Sequence, residues 1–265
     1  MNCKTVAIVL RTVRYGDSRM IVDLFTREQG RLSFMVSVGR GGGRSGMKKQ
    51  LFQPLTLLAV EADVNERQQL HRLRSVELLC PWQSLLTAPD KVAIALFVAE
   101  FLCYALRGEQ RNERLFDYVR ASLEWLDSRQ DRYANFHLVF LMRLSRFLGF
   151  FPNLSPLTSH PSLLTSHLSP PTSHPSPPTS HPYFDLRAAT FCSAPPPHHD
   201  YLMPEEAGRV RPLMRMDFAT MHLFRLTREE RNRLLEVIEQ YYRLHLPAFP
   251  ELRSLPVLRE MYDSF

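Results

Sequence analysis

Apolar and polar positions alternate along the first third of the chain, and the period changes near Pro81. Thr5 to Val13 is a mostly apolar run. Met20, Val22 and Leu24 alternate with Ile21, Asp23 and Phe25, and Leu32, Phe34, Val36 and Val38 alternate with Ser33, Met35 and Ser37. A period of two places successive side chains on opposite faces, so three strands are predicted. Gly30, in R-E-Q-G-R, stands where a hairpin needs a residue with positive φ. Leu55 to Val60, entered through Pro54, and Leu70 to Leu79 supply a fourth and a fifth strand. Five short antiparallel strands can close as a small barrel, and the five-stranded OB-fold is the expected architecture.

Beyond Pro81 the period is helical. Thr87-Ala-Pro-Asp90 predicts a helix start with Thr87 as N-cap, ahead of Val92 to Leu106. That segment is apolar nearly all round, which predicts a central buried helix. Leu115, Phe116, Val119, Ser122, Leu123 and Leu126 mark one face of a second helix, and Leu138 to Phe147 form a third that Gly149 ends. Thr227-Arg-Glu-Glu230 is a capping box leading into the face Leu234, Leu235, Ile238, Tyr241 and Tyr242. Glu205-Glu206 and Glu229-Glu230 read as helix-start charges. The expected class is α+β: an N-terminal five-stranded OB-fold β-barrel over residues 1–80, followed by an all-α helical domain over 81–154 and 183–265. Between the two helical parts, T-S-H recurs at 158–160, 165–167, 172–174 and 179–181. This seven-residue repeat, rich in Pro and Ser, predicts a low-complexity insertion over 155–182 that is disordered and dispensable for the fold.

Charge changes the picture by its location. Residues 1–80 hold 13 Lys or Arg against 7 Asp or Glu, whereas residues 81–265 hold 20 against 20, so the whole net charge of +6 belongs to the barrel. A concentrated basic field attracts polyanions. The longest apolar run, Val92 to Ala99, is too short to span a bilayer, and no signal peptide is read at the N-terminus, so a cytoplasmic protein is expected. Cys3, Cys80, Cys103 and Cys192 form no C-x-x-C pair and are expected to be unpaired thiols.

The stretch S-V-G-R-G-G-G-R-S-G-M-K-K at 37–49 invites a phosphate reading of one of two kinds. A P-loop needs G-x-x-x-x-G-K-[ST]; here Val38 stands five before Gly43, Arg44 takes the place of the lysine, and no helix-forming run follows. A basic glycine-rich loop between strands can instead lie along a sugar-phosphate backbone, with Arg40, Arg44, Lys48 and Lys49 supplying charge. Arg11, Arg14, Arg19, Arg27 and Arg31, on the neighbouring strands and turns, complete the candidate binding set. Tyr15, Phe25 and Phe34 are candidate stacking surfaces, Phe34 being better suited to the core. His160, His167, His174, His181 and His198-His199 offer no close pair on a rigid turn, so no metal site and no cofactor is expected. No H-E-x-x-H, G-x-S-x-G or singled-out carboxylate pair occurs, which argues against an enzyme. A nucleic-acid-binding protein remains, and residues alone leave DNA, RNA and an acidic protein partner open.

A family resemblance narrows this. V-A-I-V-L-R-T-V-R-Y-G-D-S-R-M-I-V-D-L-F-T-R-E-Q-G-R-L-S-F-M-V-S-V-G-R and L-F-Q-P-L, with L-F-D-Y-V at 115–119 and L-S-R-F-L-G-F-F-P-N-L at 144–154, resemble the RecO family of bacterial recombination mediators. L-T-R-E-E-R and Y-Y-R-L-H-L-P look like its Bacteroides-group members. The resemblance covers nearly all of the chain except 155–182. It implies an OB-fold and a helical domain that bind single- and double-stranded DNA and anneal complementary strands. It also implies partnership with RecR and with single-strand-binding protein, and an indirect one with RecA, without hydrolysis, in the cytoplasm at the nucleoid. Some members carry a zinc module of two C-x-x-C pairs after L-G-F-x-P. This chain has the T-S-H repeats there and only Cys192 near the second pair, so no metal site is carried over. Arg143 and Arg146 on the third helix are candidates for the acidic tail of single-strand-binding protein, but they read equally well as solvated charges and stay outside the candidate binding set.

Overall fold

The computed structural model describes residues 2–16, 18–37, 47–65, 67–153 and 182–261. Strands β1 (Asn2–Tyr15), β2 (Arg19–Thr26), β3 (Gly30–Ser37), β4 (Leu57–Asp63) and β5 (Leu70–Cys80) close into an OB-like barrel in the order β1-β2-β3-β5-β4. All neighbours are antiparallel except β3 and β5, which run parallel with Ser33, Phe34 and Met35 against Leu70, His71 and Arg72. Met20, Val22 and Leu24 point inward with Phe34, Val60 and Leu73, as the alternation predicts.

The continuous run in β1 behaves differently. Ala7, Ile8, Val9 and Leu10 are all buried, Ala7 and Val9 in the barrel interior and Ile8 and Leu10 in the core of the helical domain. An unbroken apolar run thus marks a strand covered on both faces. Phe25 likewise turns away from the barrel and packs on Phe116, with ring centroids 5.4 Å apart. The barrel thus keeps a core of its own, and the outer faces of β1 and β2 join the core of the helical domain.

Gly30 has φ +73°, and a Cβ there would run into the backbone carbonyls of Glu109 and Gln110. Glycine serves the hairpin and the close approach of the helical domain together. Helices α1 (Pro89–Ala105), α2 (Glu113–Ser128), α3 (Phe136–Phe147), α4 (Pro204–Arg215), α5 (Arg228–His245) and α6 (Ser254–Met261) build that domain. The expected face of α2 is buried throughout, and the faces of α3 and α5 meet where the Tyr242 hydroxyl donates to the Leu141 carbonyl at 2.8 Å. The Thr227 capping box is complete: Glu230 N–H donates to Thr227 Oγ1 at 3.2 Å, and Thr227 N–H to Glu230 Oε2 at 2.8 Å. Gly149, at φ +88°, follows the end of α3. Glu205 and Glu206 lie in the first turn of α4.

Two features depart from expectation. Thr87 is not the N-cap of α1; the helix begins at Pro89, with Ala88 as a cap that has no side-chain bond. Proline at the first helical position needs no N–H partner and presets φ, so the start moves to it, while Thr87 Oγ1 donates back to the carbonyls of Gln83 and Ser84. The turn before α1 is held by Asp127, whose carboxylate accepts from the N–H groups of Gln83, Ser84 and Leu85 at 3.0, 2.8 and 2.7 Å. The second departure is a small sheet inside the otherwise helical domain: β6 (Tyr183–Asp185), β7 (Thr190–Cys192) and β8 (Tyr201–Leu202), in the order β7-β6-β8. Asn153 bridges to Thr190, so the residues flanking 154–181 meet at this sheet. The T-S-H repeats lie outside the described residues.

Candidate nucleic-acid interface

The barrel's basic side chains fall into two sets according to what stands opposite them. One set is tied to acids at the junction with the helices. Asp23, buried in β2, accepts from Arg11 Nε at 3.1 Å, Arg31 Nη2 at 3.0 Å and the Ser33 hydroxyl at 2.5 Å. Burial pushes its carboxyl up, but Ser33, Arg31 and Arg11 outweigh that and hold it below its ordinary value. Arg31 also donates to the Cys103 carbonyl of α1, and only 14% of its side chain is exposed. Arg27 reaches α2, forking onto Asp117 at 2.9 and 3.1 Å and contacting Glu113 at 2.8 Å. Arg27 and Arg31 fasten the barrel to the helical domain, while Arg11 pairs with Asp23 within the barrel.

The other set faces away. Arg14, at the end of β1, makes one contact to the Gly16 carbonyl at 3.3 Å, and Arg19, Lys48 and Lys49 are exposed. Among the described residues no acid pairs with any of these four. Arg14, Arg19 and Lys49 line a cleft of about 570 Å³ with Thr12, Ser18 and Gln50, between the β1–β2 hairpin and a 3-10 turn at Lys49–Phe52. Three cations and hydroxyls, with no carboxylate among the described lining residues, make this cleft suited to phosphate groups.

Arg19 also borders a second cleft, of about 620 Å³, lined by Met35, Asn65, Gln68, Leu70, His71 and Arg72 among others. Asp63 belongs to it too, held by Arg74 Nε at 2.7 Å. His71 is buried against Phe34, with ring centroids 5.8 Å apart, and burial lowers its pKa. Its Nδ1 accepts a long 3.4 Å bond from Asn65 N–H, which leaves the proton on Nε2.

Arg40 and Arg44 lie outside the described residues, but the anchors of their loop do not. Met47 N–H donates to the Ser37 carbonyl at 3.2 Å, Ser37 borders the second cleft, and Lys49 borders the first. The glycine-rich segment is therefore rooted between the two clefts. Of the candidate stacking residues, Tyr15 is 57% exposed, whereas Phe25 and Phe34 are fully buried and offer no platform. Among the described residues, no group of three or more His, Cys, Asp or Glu could hold a metal ion. Arg143 donates to the Met216 carbonyl at 3.3 Å, and Arg146 lies over the Phe151 ring at 4.3 Å.

Residues 1–82 match the family "Recombination protein O N terminal", and residues 86–256 match "Recombination protein O C terminal". The chain belongs to the RecO family of DNA repair proteins. The boundary between the two matches falls at the end of β5, where the barrel gives way to the helices. Relatives named DNA repair protein RecO include one from Phocaeicola vulgatus, 45% identical over 260 residues covering 98% of this chain and 99% of the relative. Another, from Bacteroides fragilis, is 46% identical over 261 residues with the same coverage. A third, from Porphyromonas gingivalis, is 32% identical over 258 residues, covering 97% of this chain and 98% of the relative. The RecO match extends along both domains, so it includes the junction as well as the open face.

Gln68, Leu70 and Arg72, which line the second cleft, lie outside the sequence-based set. A signal was available in L-H-R-L-R, where Arg72 and Arg74 take the exposed positions of β5 and His71 and Leu73 the buried ones.

Proposed function

We propose that the chain is a non-catalytic mediator of DNA repair and recombination whose open barrel face binds single- and double-stranded DNA through the phosphates. Arg14, Arg19, Lys48 and Lys49 form the described part of that surface, and Arg40 and Arg44 join it from the loop rooted between the clefts. Arg27 and Arg31 serve instead to hold the barrel on the helices, and Arg11 is paired with Asp23 inside the barrel. The observation that carries this reading is the first cleft, where three cations converge and no acid stands among the described residues that line it.

Phosphate contact gives the protein a means of annealing. Two complementary strands repel through their backbones, and cations placed between them lower that repulsion while the bases pair. Nothing in this requires a chemical step, only held strands and screened charge. Membership of the RecO family supports two further parts of the proposal: work with RecR, and help in loading RecA onto strands coated by single-strand-binding protein. No helix among the described residues is long and apolar enough to cross a membrane, which is compatible with action in the cytoplasm at the nucleoid.

The test is an annealing assay with complementary strands, run bare and coated with single-strand-binding protein, with and without RecR, alongside competition between single-stranded DNA and RNA. Acceleration of pairing and preference for DNA are expected. Preference for RNA with no acceleration would replace this reading by that of an RNA-binding factor. Absence of any salt-sensitive nucleic-acid binding would replace it by that of a scaffold for an acidic protein.

A further inference from the structure

We infer that a strand bound in the first cleft continues past Thr12 and Pro54 into a third cleft, where the helical domain takes over its backbone at Arg253. The inference rests on the reading of the open face as a DNA interface and deepens it by adding a route off the barrel.

The third cleft, of about 600 Å³, lies where β1 meets α1 and α6. Thr12 and Pro54 line it and the first cleft alike, so the two are neighbours across one rim. A strand longer than the first cleft must leave it, and the exit over Thr12 opens directly onto the third. The charges there suit a phosphate. Asp23 sets one carboxylate against two guanidinium groups, those of Arg11 and Arg31. Arg31 is nearly covered, whereas the Arg11 side chain is 48% exposed. Arg11 spends Nε and Nη2 on Asp23, at 3.1 and 2.9 Å, which leaves its Nη1 to donate to a ligand while the pair stays intact.

Arg253 is exposed on the helical side, and among the described residues no acid pairs with it. The cleft does hold one carboxylate, Glu100, but both of its oxygens are engaged. Oε1 accepts from the Arg253 N–H at 3.0 Å, and Oε2 accepts from the Ser254 N–H at 2.7 Å and from the Ser254 hydroxyl. Glu100 therefore caps the start of α6, whose positive end offsets its charge. The remaining wall is apolar: Ala93, Leu96 and Ala99 of α1 and Val257 of α6, with Leu96 46% and Val257 47% exposed. Sugars and unpaired bases present apolar faces that such a wall can cover, while the phosphates between them meet Arg11 and Arg253. A strand laid along both clefts touches both domains, so the helical domain joins in binding although its charges sum to zero.

The experiment uses the full chain and two fluorescent oligothymidylates, one of about 4 nucleotides and one of about 16, the two ends of the range of site sizes for an OB barrel. Over a salt series the long strand should give the steeper slope of log affinity against log salt. Arg253→Ala should reduce that slope by about 0.7, the share of one phosphate on a single strand, and leave the short strand unchanged. Arg14→Ala should flatten both. In the unaltered protein, 4-thiothymidine placed at successive positions of the long strand should crosslink to Leu96 or α6 near one end of the strand and to the barrel elsewhere. A long-strand slope unaltered by Arg253→Ala, or crosslinks confined to the barrel, would overturn the inference while leaving the phosphate reading intact; the third cleft would then suit an acidic protein segment. Absence of salt-sensitive binding to either strand would remove the phosphate reading, and this inference with it. Circular dichroism checks that the Arg253 variant is folded, and the crosslinks of the unaltered protein decide the matter if it is not.

Discussion

The two faces of one barrel carry arginines of the same kind with opposite fates. On the face against the helices, Arg11, Arg27 and Arg31 meet Asp23, Glu113 and Asp117, and Ile8, Leu10 and Phe25 continue into the helical core. On the open face, Arg14, Arg19, Lys48 and Lys49 have no acid opposite them among the described residues. Two of the acids that tie up Arg27, Glu113 and Asp117, come from α2, the latter 90 residues away, in a part of the chain whose charges sum to zero. A net charge counted along the sequence therefore locates a basic domain, but the second domain decides which of its cations remain available to a ligand.

The difference can be broken from the junction side first. Asp23→Ala leaves the mostly buried Arg31 without its carboxylate, and a stability loss of about 3 kcal/mol or more is expected in urea unfolding. Acid should act on the helical side too. His137 of α3 is wholly buried, and burial together with Arg231 pushes its pKa down to about 3. The unfolded chain takes up that proton near the ordinary value of 6.5 and the native protein does not. Stability should thus fall by about 3 kcal/mol between pH 7 and pH 4, at about 1.4 kcal/mol per unit below 6.5. His137→Leu should flatten the slope of unfolding free energy against pH over that window. Gly30→Ala forces a Cβ onto the carbonyls of Glu109 and Gln110 at positive φ, and a loss of about 2 kcal/mol is expected from the shift in urea midpoint. The open face sharpens the contrast by its small effect. Arg14→Ala with Lys49→Ala should change stability by no more than about 0.5 kcal/mol, yet reduce the salt slope of single-strand binding by about 1.4.

Much of this was legible in the residues, and the unread part has physical reasons. The second and third strands followed from period-two alternation and the hairpin at Gly30, because each has a buried face, and the first and fourth from short apolar runs. The Thr227 box and the face from Leu115 to Leu126 are local patterns that need no tertiary partner to be seen. Tyr183–Asp185 and Tyr201–Leu202 are too short for any period to show. Thr87 carried a capping pattern, but Pro89 two residues later set the helix start. Phe25 read as an exposed platform because alternation says which residues leave the barrel interior, not that a second domain waits on the far side. Arg27 and Arg31 stand with Arg14 and Arg19 in the sequence-based set because strand position is a local property, and opposition by Asp117 and Asp23 is not. The second cleft escaped because β3 and β5 meet in parallel, a pairing that joins Met35 to Arg72 across more than thirty residues.

The most direct test of the account is the salt dependence of single-stranded DNA binding in two variants, measured as the slope of log affinity against log salt. With Arg14, Arg19, Lys48 and Lys49 all replaced by alanine, the slope should shrink by about 3, while Arg27→Ala should leave it unchanged and lower only the stability of the junction. An unchanged slope in the first variant, or a reduced one in the second, would contradict the division of the barrel into a tied face and a binding face.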